Sequence, residues 1–370
     1  MVVTKHPKPD KAFVGSGSTE SCFVRFESKQ IQEKLQANRP LRVGLTYDSR
    51  DDFKFVSEEP EDWDVELTVS TSVDDIAHAI EDLGHEAVFI GSGMKLMKDF
   101  ARVEKSVDIV FNIAEGLFGR AREAQVPALL EMAGIPFVGS DVYALSMAMN
   151  KWHTKVLAAH YGMRTPDFQV VRDLDEIENC RPKEFPVIAK LCYEGSAMGL
   201  KKESVVQSSA ELKKLLRYLL KTYKQTLLVE EFIPGKEIDV PIIGNHPKNV
   251  FGVVGLTLGN RLKLGSRFLT SEIVRYDRYG FKYPLKESFV RQAEMDSLRI
   301  YELLGCRDFG RTDMRIDSEG KPYLLEVNPL PFLGRHSSFN EIAKKTVGYK
   351  GMIGLILDSA ISRQRLSTRI

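Results

Sequence analysis

The chain lacks any long apolar run: nothing approaches the roughly 18 consecutive residues needed to cross a bilayer. Its start, Met1-Val-Val-Thr-Lys-His-Pro-Lys-Pro-Asp10, has no hydrophobic signal core. No membrane partner is expected. Cysteine is scarce as well. Cys22, Cys180, Cys192 and Cys306 lie far apart with no Cys-x-x-Cys pair, which argues against a structural zinc site or a disulfide framework and makes a reducing cytoplasm the expected location. Charge of one sign is also missing. With 52 Lys and Arg against 51 Asp and Glu, the net charge of +1 gives no electrostatic case for nucleic acid, so small molecules are the expected partners. What remains is ordinary globular composition, 43% hydrophobic and 28% charged over 370 residues, enough for two or three domains.

Residues 1–40 are polar and irregular and read as an N-terminal extension. Gly15-Ser-Gly-Ser18 is read as linker, because no apolar strand leads into it and no Gly-Lys-Ser follows. From Leu41 strand and helix signals alternate. Leu41–Tyr47, Glu86–Ile90 and Val107–Asn112 are short apolar strands, with helices over Asp74–Leu83 and Glu123–Ala133 that stop at Gly84 and Gly134. Such alternation predicts a parallel sheet covered by helices, an α/β domain over residues 41–139. A second segment, 140–230, carries a helix over Asn150–His160, strands at Asp167–Val171, Phe185–Lys190 and Thr226–Glu230, and a helix over Ser209–Tyr223. A third, 231–370, has strands near 237–243 and 250–258, a helix from about Lys286 to Leu304, and a last helix near Val347–Ser362.

The third segment also holds a hairpin with an acid on each arm. Arg311-Thr-Asp313-Met-Arg315-Ile-Asp317 alternates with the period of a strand, Asp317–Gly320 supplies turn chemistry, and Pro322-Tyr-Leu-Leu-Glu326-Val-Asn328 is the returning strand. Asp313, Glu326 and Asn328 can then face one another as a hard oxygen site suited to magnesium and phosphate. Taken alone, the segment fits equally a surface hairpin whose acids pair with Arg311 and Arg315. Lys190, at the end of an apolar strand and followed by Glu194-Gly195-Ser196-Ala-Met-Gly199, is a candidate phosphate cradle. Glu230-Glu231-Phe-Ile-Pro-Gly235-Lys-Glu237 offers carboxylates for an adenine amino group and ribose hydroxyls, or merely a solvated strand end. His153 and His160 are read as helix surface or core, and His336 as a modest site candidate.

In order along the chain stand Met149-Asn150-Lys151, Ile188-Ala-Lys190 with Gly195-Ser196, Val229–Glu237, Arg311-x-Asp313 and Glu326-Val-Asn328. Together with Ala133-Gly-Ile-Pro-Phe-Val-Gly-Ser-Asp141, this series resembles the ATP-grasp fold and, within it, D-alanine-D-alanine ligase, over roughly residues 105–365. The resemblance implies an ATP-grasp fold, mixed α/β, preceded by a parallel-sheet domain. It also implies an ATP-dependent carboxylate-amine ligase working through an acyl phosphate, with two Mg2+ ions for which Mn2+ can substitute. Lys151, Lys190, Glu230, Glu231, Ile233, Glu237 and Lys282 would hold the nucleotide, and Asp313, Glu326 and Asn328 the metal. Arg311 would face the transition-state charge, Ser196 and Tyr283 would belong to closing loops, and Ser337 would hold a substrate carboxylate. Tyr276–Tyr283 would be the lid. Family members commonly form homodimers, although no feature of the sequence marks such an interface.

The substrate regions depart from the family. The first strand runs into Thr46-Tyr-Asp48-Ser-Arg50-Asp51-Asp52-Phe-Lys54 and a long acidic insertion through Asp64, with no counterpart of the family's first-loop glutamate. The second loop has Glu115-Gly116 and Gly119-Arg120-Ala-Arg122 where the family has His-Gly and Gly-Glu-Asp-Gly, and Pro331-Phe332 stands for Pro-Gly. A substrate other than D-alanine is expected, with Glu115, Arg120 and Arg122 as candidate contacts. Two readings of the arginines stand: a fork for an extra substrate carboxylate, or a helix start paired with Glu123 or nearby acids. For the whole chain the alternatives are a ligase joining an amino acid to a different kind of partner, and an inactive nucleotide-binding regulator.

Overall fold

The structure, a computed structural model, describes residues 39–49, 60–67 and 70–367. The expected extension apart from Arg39 and Pro40, the stretch Arg50 to Lys54 of the first loop, and Cys22 lie outside these residues. Strands β1 (Arg42–Tyr47), β2 (Glu86–Gly91), β3 (Ile109–Ile113) and β4 (Phe137–Val138) form the predicted parallel sheet, in the order β2-β1-β3-β4. Alternation divides its two cores. Ile109 and Phe111 pack with Val43 and Leu45 against the helix Ser70–Asp82, while Val110 points the other way, to Ile90 and to Leu130 of the helix Gln125–Met132. Gly44 is needed here, since a Cβ would stand 2.6 Å from Ile90 Cδ1.

A second sheet, antiparallel, runs β5-β8-β6-β7 from β5 (Phe168–Val171), β6 (Val187–Leu191), β7 (Val205–Val206) and β8 (Leu227–Glu231). The helix Ser209–Tyr223 covers it through Leu212, Leu216 and Leu219, three to four residues apart on one face. Its first turn is capped by Ser208, which accepts from Glu211 N.

The third sheet carries most of the site. It comprises β9 (Gly235–Ile243), β10 (Asn249–Val250), β11 (Val254–Thr257), β12 (Lys263–Gly265), β13 (Gly280–Lys282), β14 (Phe309–Ile316) and β15 (Pro322–Asn328), with main order β13-β11-β9-β14-β15 and with β10 and β12 also on β9. Ile238, Val240, Ile242, Met314, Ile316, Leu324 and Val327 turn one way, under Ala293 and Ile300 of the helix Val290–Leu303. Glu237, Asp239, Arg311, Asp313, Arg315, Glu326 and Asn328 line a cleft on the other side. One face is thus an apolar core and the other a charged floor. The observed helix starts at Val290 rather than near Lys286, and Val142–Met149 is a helix that the sequence reading did not anticipate.

The last helix, Gly348–Ser367, packs Met352, Ile353 and Ile356 into the same core as β1 and the helix Ser70–Asp82. Asp308 reinforces this tie between the chain's ends: it accepts from Gly139 N just after β4 (2.8 Å) and from Arg363 Nη2 (2.7 Å), and it is fully buried. Strand β9 begins at a tight approach. A Cβ on Gly235, whose φ is 156°, would lie 1.9 Å from the carbonyl oxygen of Ile316. Gly235→Ala is expected to lower unfolding stability by about 1–3 kcal/mol, read by denaturant titration; unchanged stability would show that the start of β9 can shift freely.

Candidate active site

The three sheets converge on a cleft of about 580 Å³. Strand β14 sits between β9 and β15, and its pairings set the residues of the floor in rows. Asp313 pairs with Asp239 on one side and Glu326 on the other; Arg311 pairs with Pro241 and Asn328, and Arg315 with Glu237 and Tyr323. The predicted confrontation of Asp313, Glu326 and Asn328 is therefore present. Asp239 extends it to a third strand.

The cations on this floor decide its electrostatics. Arg311 donates through Nε and Nη2 to both oxygens of Asp313, at 2.6 and 2.8 Å, and lies 3.6 Å from Asp239. Asn328 Nδ2 donates to Asp313 at 2.8 Å. The arginine pairing expected of a plain surface hairpin is thus real, but it lies inside the cleft. Burial, with Asp239 and Glu326 nearby, pushes Asp313 up to about 7 despite Arg311. Glu326 goes the other way. Burial alone would raise it, but Lys151, 3.0 Å away, with Lys190 and Arg311, holds it at about 2. Burial alone would lower Lys151 and Glu326 reverses that, so Lys151 is held above the ordinary lysine range.

Lys151 is placed by the start of its helix, Lys151–His160, where Asn150 caps the amides of Trp152 and His153. One turn on, Lys155 lies fully buried with its ammonium 2.7 Å from Glu230 Oε2 and 2.8 Å from Thr165 Oγ1. The other oxygen of Glu230 is held by Lys190 of β6. The Glu230 carboxylate, which the resemblance assigns to the adenine, lines the cleft but is 1% exposed and paired with two lysines, so here it orders the cations. Glu231 and Ile233 do line the cleft beside it. Glu237 accepts from Arg315 Nη1 at 3.0 Å, and burial raises its carboxyl despite that arginine.

The loop after β6 adopts left-handed backbone at two successive residues, Ser196 (φ 47°) and Ala197 (φ 57°), between Gly195 and Gly199, and Ser196 lines the cleft. Gly195 N donates to Glu66 and Gly199 N donates to Asp62 at 2.8 Å. Asp62 belongs to the insertion and Glu66 follows it by two residues. The arginine fork is overturned. Arg120 is exposed and does not line the cleft. Arg122 is buried, but its guanidinium already meets Glu66, Glu194 (3.0 Å) and the carbonyl of Tyr193 (2.9 Å). The pairing alternative holds, with Glu66 and Glu194 as the acids. Glu115 and Glu123 both line this end of the cleft; burial and neighbouring acids raise Glu115, and burial lifts Glu123 to about 8 despite Arg122. Asp48 accepts from Gly116 N at 2.7 Å, pinning the second loop to the first.

The lid assignments also need correction. On β13, Phe281 turns toward the cleft, whereas Lys282 is exposed outside it and Tyr283 packs into the core near Gly252 and Ile342. A strand alternates, so Lys282 cannot share the face of Phe281. Tyr279 stands in the cleft instead, stacked on His336 at 4.9 Å between ring centroids, and burial with Asp277 nearby pushes its hydroxyl up to about 12. His336 pairs with Asp277 and lines the cleft, and Ser337 beside it, also in the lining, caps the helix Ser338–Ala343 by accepting from Asn340 N at 3.1 Å.

Three kinds of residue escaped the sequence reading. Lys155 lies four positions after Lys151, the spacing of one helix face, and Asp239 two after Glu237, the spacing of one strand face; both signals were present. Glu66 and Asp62 reach their partners only by long-range docking, which local spacing does not show. As to a metal, two carboxylates and an amide in adjacent rows are hard-oxygen donors of the type magnesium takes alongside phosphate. Among the described residues no three His, Cys, Asp or Glu side chains form a metal-holding group by themselves. The expected set of two acids, an amide and nucleotide oxygens does not require one.

The fold and the charged cleft are those of an ATP-grasp ligase. The family profile described as D-ala D-ala ligase C-terminus matches residues 157–358, more than half of the chain. The chain belongs to the D-alanine-D-alanine ligase family. The uncharacterized protein y4sG of Sinorhizobium fredii is 32% identical over 304 residues, 78% of this chain and 87% of that protein. A D-alanine-D-alanine ligase of Aquifex aeolicus is 29% identical over 285 residues, 76% of this chain and 92% of that one. In fold, the D-alanine-D-alanine ligase of Bacillus anthracis complexed with ATP superposes with a TM-score of 0.66, covering 88% of this chain and 99% of that one at 19% identity.

Glu230→Ala would strand the buried ammonium of Lys155, and removing one partner of a buried ion pair costs about 3–5 kcal/mol; denaturant unfolding should show that loss. The pH sign follows from the lysines, which hold Glu230 below the ordinary carboxylate range although burial opposes them. Its contribution is complete above about pH 4.3 and fades as pH falls through the lower, folded-state value. The stability gap between the native chain and Glu230→Gln should therefore shrink on acidification below about pH 4.3. A gap that widens there would contradict the pairing.

Proposed function

We propose that this chain is an ATP- and Mg2+-dependent carboxylate-amine ligase that makes a dipeptide-like amide through an acyl phosphate, with a substrate pair other than two D-alanines. The observation that carries this reading is the row Asp239–Asp313–Glu326, bordered by Asn328, Arg311, Lys151 and Lys190 in one cleft. A module that only bound a nucleotide would not need such an assembly. Family membership and the similarity to the D-alanine-D-alanine ligase of Aquifex aeolicus support the same class.

An amide does not form from a carboxylate and an amine in water without activation. One carboxylate oxygen of the first substrate attacks the terminal phosphorus of ATP, the bond to the bridging oxygen breaks, and ADP departs with its electron pair. The amine of the second substrate, as the free base, attacks the acyl carbon, inorganic phosphate leaves with the electron pair of the broken C–O bond, and the nitrogen gives up one further proton to become the amide. Lys151 and Lys190 are assigned to the phosphates, Glu231 and Ile233 to the adenine edge, Glu237 to the ribose and Ser337 to the carboxylate of the amine substrate. Asp313, Glu326 and Asn328 would hold Mg2+, which when bound neutralises and orients the phosphate oxygens. Arg311 faces the negative charge that develops at the transferred group. Ser196 and its glycine loop would close above, limiting hydrolysis of the acyl phosphate.

A changed substrate is supported at the other end of the cleft. Glu115 and Glu123 line it, and the arginine that replaces a family loop residue is fully engaged by Glu66 and Glu194. The test is a panel of amino-acid pairs, assayed for phosphate release with Mg2+ and ATP. At least one pair other than D-alanine with itself should stimulate release, and Arg311→Ala should cut that rate on the order of 100-fold or more. Near-normal turnover in Asp313→Ala would contradict the metal assignment. Strong D-alanine dimerisation with no response to any other pair would contradict the substrate assignment.

A further inference from the structure

The second loop carries two carboxylates, Glu115 and Glu123, that face the cleft from either side of a closed turn. Gly116 adopts a left-handed φ of 71°, and a Cβ there would lie 2.7 Å from the carbonyl oxygen of Arg122, so the backbone at 116 touches the backbone at 122. The loop between them is pinched shut. Asp48, just after β1, accepts from Gly116 N at 2.7 Å and fixes that closure to the N-terminal sheet. Glu115 stands one residue before the pinch and Glu123 one residue after it, which brings the two acids close enough for their charges to repel one another.

The described cations nearby are already committed. Arg122 spends its guanidinium on Glu66, on Glu194 (3.0 Å) and on the carbonyl of Tyr193 (2.9 Å). Lys151, whose charge also acts on Glu123, is held by Glu326 at 3.0 Å. Among the described residues no hydrogen bond or ion pair engages the side chain of Glu115 or of Glu123. Two unpaired acids beside one another in a poorly solvated recess are unfavourable, and burial with the neighbouring acids accordingly holds both above the ordinary carboxylate range. A positive group arriving through the cleft would relieve both.

The chemistry of the donors favours an organic cation over a metal ion. No three His, Cys, Asp or Glu side chains among the described residues form a metal-holding group, whereas an ammonium or a guanidinium is well served by carboxylates alone. The α-ammonium that every amino acid carries would satisfy one of the two acids. The other calls for a second positive charge. Val65 and Leu67 line the same cleft on either side of Glu66, whose charge acts on both Glu115 and Glu123, and they offer apolar surface to the methylene stem of a long basic side chain. We propose that one substrate of the ligation is a basic amino acid, of the lysine, ornithine or arginine class, whose α-ammonium and side-chain cation together neutralise Glu115 and Glu123. This names the substrate class of the ligase reading above and rests on that reading.

Binding, which needs no knowledge of the second substrate, is the direct test. The full chain, loaded with magnesium and the non-hydrolysable AMP-PNP, is titrated calorimetrically with lysine, ornithine and arginine, and with norleucine, which has the shape of lysine without its side-chain ammonium, each in both enantiomers. At least one basic amino acid should bind about tenfold or more tightly than norleucine of the same hand, the size of one charge-assisted pair. In the double variant Glu115→Gln/Glu123→Gln that ratio should fall toward one. Both ligands meet the same preparation, so partial misfolding lowers the number of sites and leaves the ratio of affinities unchanged. With AMP-PNP bound, norleucine binding as tightly as the basic amino acids, no binding of any basic one, or a preference that survives the double substitution overturns the proposal and leaves the ligase reading standing. If magnesium and AMP-PNP do not bind at all, the ligase reading itself fails and the substrate class falls with it.

Discussion

The register of β14 against its two neighbours is the constraint on which the rest of the site depends. Each residue of that strand from Phe309 to Ile316 pairs with β9, and its cleft-facing members also meet β15. A slip of one position would send Asp313 and Arg311 into the apolar core and bring Met314 and Thr312 to the cleft. The helix Val290–Leu303 prevents this by burying Met314, Ile316 and Leu324 on the opposite face, so a hydrophobic preference holds the polar constellation in place. Burial of one face is thus what aligns the acids of the other.

Around that floor, charge is arranged in nested layers. Lys155 and Lys190 share Glu230, and Lys190 with Lys151 depresses Glu326. Arg311, between Asp239 and Asp313, closes the row from the far side. Removing Glu230 would leave the ammonium of Lys155 buried without its carboxylate, which is costly in a dry interior. The assembly is consistent with a site built to receive a polyanion and cations together, because its own charges nearly balance before either arrives. Residues 60–67 repeat the theme at the glycine loop, where carboxylates meet amides and Arg122.

Much of this was legible in the sequence because it obeys short periods. The acidic hairpin, Lys190 after an apolar strand, Lys151 at a helix start and the alternating elements of the N-terminal sheet all follow spacings of two or of three to four residues. Asp239 and Lys155 obey the same spacings, two after Glu237 and four after Lys151, but lie just outside the motifs that carry the resemblance. The lid residues failed for a different reason. Lys282 and Tyr283 were placed by alignment, while the alternation of β13 puts Phe281 in the cleft and Lys282 outside it. Arg120 points to solvent, and Arg122 failed because its partners, Glu66 above all, lie more than fifty positions away, and no local pattern announces which acid an arginine will meet.

Titration of the protein with Mn2+, followed by electron spin resonance with and without a saturating adenosine triphosphate analogue, tests the central claim most directly. The account predicts Mn2+ binding that strengthens when nucleotide is present and is lost in Glu326→Gln. Binding that ignores the nucleotide and survives that substitution would contradict it.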